Sequence, residues 1–315
     1  MAYRAFLLPL FATALLAAPA DFNGRWNIVP EGDARGRVWW LEVTGAGTSA
    51  LKGRFVGAPG GQMDEIPAMH MEKDELVWIF ERPYGRETKQ KAKGVYRARV
   101  EGGKLKGTFQ VEGRPAMIQF AGVRAPKLAE TDDGTWRPGK PVELFNGRDF
   151  TGWTTKVRGR SIDEWKVTNG ILTNGKGAPD ITSDQKFWNY KLHIEYRLAQ
   201  HSNSGVGLRG RYEVQIFGDY GEPPSMHGNG ALYSRLLPTM NASKPAMEWQ
   251  TFDITLVGRQ VTIVLNGKTV VDHREIEGFT AMATDVHEDQ PGPITLQGDH
   301  GVVEFRKVTV TPLAR

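Results

Sequence analysis

In Arg211-Tyr212-Glu213-Val214-Gln215-Ile216-Phe217 apolar and polar side chains alternate, so a strand that turns Tyr212, Val214 and Ile216 into a core turns Glu213 and Gln215 out of it together. The same parity sets His193, Glu195 and Arg197 opposite Leu192, Ile194, Tyr196 and Leu198. Arg209, opposite in parity to Val206 and Leu208, joins this polar set, and Gln297 follows Ile294 and Leu296. Carboxylate, guanidinium, amide and imidazole groups on one hollow face, with Tyr and Trp nearby, suit sugar recognition. Hydroxyls take paired polar contacts, and the apolar face of a sugar ring stacks on an aromatic. A solvated outer face is the plain alternative for each residue taken alone. The chain has no cysteine, which excludes disulfides, thiolate metal sites, iron–sulfur clusters and Cys nucleophiles. Any metal must rest on His, carboxylate or carbonyl ligands. Gly205-Val206-Gly207-Leu208-Arg209-Gly210 spells a dinucleotide-binding glycine pattern, but a strand follows it instead of a helix. These glycines therefore read as places where something approaches the backbone closely. No nucleophile elbow, phosphate loop, zincin or calcium-loop spacing occurs.

The elements that must position these residues are strands. With 315 residues, 40% of them hydrophobic, and 40 Lys+Arg against 36 Asp+Glu, the chain has the profile of a globular protein long enough for two domains. A net charge of +4 without a basic stripe gives no support for a nucleic-acid partner. Residues 1–20 read as a signal peptide: a basic start ending at Arg4, an apolar run from Ala5 to Ala17, then Ala18-Pro19-Ala20. Cleavage is expected near Ala20, with a periplasmic or secreted product. The apolar run is shorter than the roughly 20 residues that span a bilayer, so no membrane span is expected. Residues 21–125 carry short strands around Phe22, Val38, Leu51, Leu76, Val95, Leu105 and Met117. They predict a small antiparallel β-barrel-like domain of about seven or eight strands, closed to hide its edges. In it Trp39, Trp40, Trp78 and Phe80 read as core. Residues 126–141, rich in Pro, read as a linker. Residues 142–315 alternate more cleanly, with hairpin signals at Asn169-Gly170 and Asn266-Gly267. An all-β jelly-roll sandwich follows, whose curved outer face forms a groove.

This second domain resembles the 3-keto-disaccharide hydrolase family. The likeness rests on successive blocks in order: Leu144-Phe145-Asn146-Gly147-Arg148-Asp149 with Thr151-Gly152-Trp153, Asn203-Ser204-Gly205-Val206-Gly207-Leu208-Arg209, Tyr212-Glu213-Val214-Gln215-Ile216, Gly230-Ala231-Leu232-Tyr233, Asn241-Ala242-Ser243-Lys244-Pro245, and Gly292-Pro293-Ile294-Thr295-Leu296-Gln297. The resemblance implies a concanavalin/laminarinase-like β-sandwich acting on glycosides oxidised at C3. Residues 21–125 lie outside it.

A 3-keto group acidifies the C2 proton, so a base can remove it, the enolate can expel the C1 substituent, and water can add back. That route needs a carboxylate or His near C2 and a cation over the developing enolate. Glu213 or Glu195, with His227, are the acid/base candidates, and Arg209, Gln215, Gln297 and His300 the groups that would grip the sugar. The cation over the enolate is an Arg or a metal ion, and no cofactor is fixed by the sequence. A divalent cation could sit on Asp285, His287, Glu288 and Asp289, although a solvated acidic loop explains the same residues. A conventional glycosidase with paired carboxylates and a non-catalytic lectin-like module remain open beside this reading. Oligomeric state is not legible.

Overall fold

The computed structural model describes residues 18–84 and 88–315. The expected leader therefore lies almost wholly outside the described residues.

Nine strands between Gly24 and Arg124 form one antiparallel sheet. Its first strand, Gly24–Pro30, sits in the middle, paired with Trp39–Thr44 on one side and with the last strand, Met117–Arg124, on the other. Lys52–Val56 and Met63–Glu65 extend one wing, while Lys104–Val111, Lys91–Glu101, Glu75–Pro83 and Ala68–Glu72 extend the other. The sheet curls because alternate residues of distant strands, among them Trp26, Leu41, Phe55, Trp78 and Tyr96, share one buried cluster. Its two edges, Met63–Glu65 and Ala68–Glu72, are sequence neighbours that leave a seam unpaired. The expected closed barrel of seven or eight strands is thus corrected: nine strands curl without a closed ladder. The two unforeseen strands are short, flank Pro67 and carry few β-branched residues, which is why pattern alone missed them.

The C-terminal part is a two-layer sandwich. One sheet runs in the order Trp153–Thr154, Ile181–Phe187, Gly292–Leu296, Asn203–Leu208, Tyr212–Phe217. The other runs Trp165–Thr168, Ile171–Asn174, Val303–Ala314, Tyr190–Leu198, Gln250–Val257, Gln260–Leu265, Lys268–Glu275. Arg137–Pro138 and Val142–Glu143 add to Val303–Ala314. Leu192, Ile194 and Tyr196 of one layer and Val206, Val214 and Ile216 of the other lie in one core. Each such large apolar side chain stabilises the fold by about 1.5–3 kcal/mol on burial. The Asn-Gly pair forms its hairpin as predicted, with φ of 52° at Asn266 and 77° at Gly267, the left-handed values that a two-residue turn requires. The proline-rich connector is held against the sandwich: the Glu130 carboxylate accepts from Trp188 Nε1 at 2.6 Å, and the Asp132 amide donates to Gln260 at 2.7 Å. No helix among the described residues is long and apolar enough to cross a membrane.

The curled sheet is docked onto the sandwich through apolar and polar contacts. Trp39, Trp78 and Phe80 belong to the curled sheet's own core, whereas Trp40, Val38 and Val56 face outward into the sandwich core. Arg235 lies 4.1 Å over the Trp40 ring, and Gly278 makes room for it, since a Cβ there would stand 2.1 Å from the indole nitrogen. Backbone bonds seal the contact: Val38 N–H donates to Ala283 O at 2.9 Å, and Met63 N–H to the Ser234 hydroxyl at 2.9 Å. Asn27 Nδ2 reaches the buried Glu288 carboxylate at 2.9 Å.

Candidate active site

Where the two parts meet, a cavity of about 240 Å³ opens over the sheet that carries Asn203–Leu208, Tyr212–Phe217 and Gly292–Leu296. Alternation puts Glu213 and Gln215 on its floor, and the strand register aligns Gly207 with Glu213 and Gly205 with Gln215. Those two glycines hollow the floor. A Cβ on Gly205 would lie 2.6 Å from Glu213 Oε1, and one on Gly207 would lie 2.9 Å from Thr295 Cβ. The glycine pattern that fails as a nucleotide loop therefore clears space above a sheet, between two strands and with no helix behind it.

Gln297 follows the strand Gly292–Leu296 and enters the same hollow, its amide N–H bonded to Gly205 O at 2.9 Å. Gln215 Nε2 donates to Asn203 Oδ1 at 3.2 Å. Gln215 Oε1 and Gln297 Oε1 are both buried, and neither has a hydrogen-bond partner among the described residues. A buried acceptor left in that state costs about 1–3 kcal/mol, and hydroxyl donors of a sugar would relieve it.

Glu213 is 4% exposed. Burial pushes its carboxyl up to about 7, opposed by the positive charges of His300 and Arg37 and reinforced by Asp180 and Asp299. His300, from the loop after Gly298, hydrogen-bonds Asp299 through Nδ1. That bond raises the imidazole above its ordinary range. Burial opposes ionisation of Asp299, yet the hydrogen bond from His300 and the Arg35 guanidinium hold it far below the usual carboxylate range. Tyr233 closes one wall, its hydroxyl pushed up by burial and by the charge of Glu213.

The curled sheet supplies the opposite wall with Arg37, Gly60 and Gly61. The loop bearing Arg37 is shaped by Asp33, whose Oδ1 accepts from the amides of Arg35 at 2.8 Å and Arg37 at 2.9 Å. An aspartate bonding to the backbone just ahead of it is a standard device for turning a chain. It presents Arg35 to Asp299 and Arg37 to the cavity.

Of the residues singled out by sequence, Glu213, Gln215, Gln297 and His300 converge. Glu195 does not. It belongs to Tyr190–Leu198 in the other sheet, where it bonds Arg306 and lies 3.5 Å from His193. Its parity is as expected, but the outer faces of the two layers point away from each other. Arg209 is corrected too. At φ 53° it leaves the strand at a turn, and its guanidinium is fully buried. It donates to Trp188 O and Gly258 O, both at 2.7 Å, and to Asn189 Oδ1 at 3.1 Å. That is a structural tie between the layers. His227 is exposed and packs at a tilt against Tyr233 at 4.7 Å, one side chain removed from the cavity. The acidic cluster does not converge either. Asp285 pairs with Arg211, while Glu288 is buried under Arg259 and Tyr212. Among the described residues no three His, Asp or Glu gather as a metal site. Sequence reasoning missed Arg37 and Gly60-Gly61, because nothing within residues 21–125 signals which loop meets a second domain.

A family model, that of the 3-keto-α-glucoside-1,2-lyase-like domain, matches residues 140–311. The chain belongs to this family. Every floor residue of the cavity lies inside the matched segment, while Arg37, Gly60 and Gly61 lie outside it. Over 74 residues the chain is 27% identical to the 3-keto-disaccharide hydrolase of Bacteroides thetaiotaomicron, a stretch that is 21% of this chain and 26% of that protein. The match thus spans about a quarter of that relative's length. Two solved structures of candidate glycosyl hydrolases from Parabacteroides distasonis are also similar. One is 27% identical with TM-score 0.46, covering 56% of this chain and 91% of its own. The other is 20% identical with TM-score 0.47, covering 55% and 94%. Membership of the 3-keto-α-glucoside-1,2-lyase-like family makes this a carbohydrate-active protein of the glycosyl-hydrolase-like group.

Proposed function

We propose that the protein cleaves 3-keto-glycosides by elimination and rehydration at this cavity. The observation that carries the reading is that Glu213 is the one carboxylate lining the cavity among the described residues. It is buried, and its acidity lies near neutrality. A conventional glycosidase needs two carboxylates facing the bond, about 5–5.5 Å or 6.5–9.5 Å apart. A base for a carbon acid needs one, poised near working pH. The Glu213 carboxylate takes the C2 proton, and electrons collect on the C3 oxygen as an enolate facing Arg37. The enolate re-forms the ketone as the C1–O bond breaks, leaving a C1=C2 double bond. His300, held charged by Asp299, gives its proton to the departing oxygen. Water then adds its hydroxide to C1 and gives its proton to His300, while Glu213, whose proton has exchanged with solvent as the aglycone leaves, protonates C2, so hydrolysis is the net result. Gln215 and Gln297 receive sugar hydroxyls on their free oxygens, and Arg37, a fixed donor over the forming charge, contributes several kcal/mol. The residue 1–20 leader supports export as part of the same proposal.

The test compares aglycone release from a 3-keto-glucoside and from the unoxidised glucoside. Release from the keto form alone supports the reading. Release from both at similar rates supports the paired-carboxylate alternative, and saturable sugar binding without release supports a lectin-like module.

A further inference from the structure

The catalytic cavity continues past Arg37. A second cavity of about 300 Å³ shares Arg37, Gly60, Gly61 and Ala281 with it and runs into the mouth of the curled sheet. Apart from Arg37, the partition between them is glycine and alanine. Gly60 has φ of 105°, and a Cβ on Gly61 would meet Ala281 at 3.2 Å. Asp33 and Arg37 stand at its rim, and beyond them the lining is Trp39, Tyr84, Tyr96, Phe109, Val56 and Pro59. The rings are held by one another: Tyr96 stacks on Phe109 at 4.3 Å, and Tyr84 and Trp39 pack against Phe109 at 5.8 and 6.1 Å.

Resting on the keto-glycoside reading, we infer that this aromatic cavity is the aglycone subsite, and that the preferred substrates carry an aromatic aglycone. A keto-sugar whose C2 lies over Glu213 and whose hydroxyls engage Gln215 and Gln297 needs room for its C1 substituent. The mouth of the curled sheet is continuous with the sugar site and has the volume of about one ring system, at the low end of small-molecule sites. Its rings also offer the edge and face contacts that aryl groups favour. The first domain, which the family match does not cover, would then select the leaving group while the second performs the chemistry. A rival path leads through a cavity of about 420 Å³ that shares Asn203 and His300 and is lined by Met247 and His201.

The experiment measures kcat/KM for 4-nitrophenyl and methyl 3-keto-α-glucosides in wild type, Phe109→Ala, Phe109→Leu and Met247→Ala, alongside direct titration with 4-nitrophenol. Phe109 is only half-buried, and the Leu variant keeps the volume if Ala fails to fold. The expected result is a wild-type preference for the aryl substrate that falls about 2- to 12-fold in the Phe109 variants, with methyl turnover unchanged and 4-nitrophenol binding weakened. Equal change on both substrates, or loss of aryl preference in Met247→Ala alone, overturns the subsite and leaves the chemistry standing. If neither substrate turns over, the keto-glycoside reading fails and the titration decides the subsite: binding weakened by Phe109→Ala upholds it, and binding indifferent to Phe109 rejects it.

Discussion

Glu213→Gln separates catalysis from stability in opposite directions. The native carboxyl titrates near 7 because burial penalises its charge, against 4.5 for an ordinary glutamate. For an acid whose folded pKa is raised, the folded state binds the proton more tightly than the unfolded chain. The penalty is therefore absent below pH 4.5, grows between 4.5 and 7, and is complete above 7. A shift of this size corresponds to about 3 kcal/mol. Gln keeps the shape and cannot ionise, so the variant should match wild type near pH 4 and exceed it by about 3 kcal/mol at pH 8.5, a rise in Tm of about 6 °C. At the same pH its kcat on a 3-keto-glucoside should fall by about 10²–10⁴ as the base is lost. Thermal melts of both proteins across pH 4–9, run beside aglycone-release assays, make the check. A stability difference that does not change with pH, or turnover that survives, would refute the assignment of Glu213 as a buried, poised base.

His300→Gln should abolish the alkaline limb of a bell-shaped pH–rate profile, since the raised imidazole must stay protonated, while the acid limb set by Glu213 near 7 persists; steady-state rates over pH 5–10 decide it. Gly205→Ala should lower kcat by about tenfold, because the new Cβ would stand 2.6 Å from Glu213 Oε1, and a crystal structure of the variant should show Glu213 displaced. Glu195→Gln should leave turnover within about twofold of wild type, as the residue lies on the far sheet. Arg209→Met should unfold in less denaturant by about 2–4 kcal/mol, from the buried carbonyls it leaves unpaired, with kcat of the folded fraction retained.

Alternation made much of the site legible. Glu213 and Gln215 stand opposite Tyr212, Val214 and Ile216 as period two demands, and Gln297 arrives in the same hollow. The failures have physical causes. Period two reports which face a residue occupies and not which sheet, so Glu195 shared the parity of Glu213 while facing away from it. A single left-handed residue re-aims its side chain, and Arg209 turned inward for that reason. Arg37 and Gly60-Gly61 reach the cavity only because the curled sheet docks on the sandwich. The contacts that dock them, Trp40 beneath Arg235 and Asn27 on Glu288, join residues about two hundred or more positions apart, beyond the reach of any local pattern.

The most direct test of the account runs the reaction in D₂O and reads the released 3-keto-sugar by NMR at early times, with Glu213→Gln as the control for spontaneous exchange. Elimination and rehydration predict deuterium at C2 in every enzymatic turnover. Release of aglycone with protium retained at C2 would show that the C1 bond is broken by direct displacement, and would contradict the mechanism at its first step.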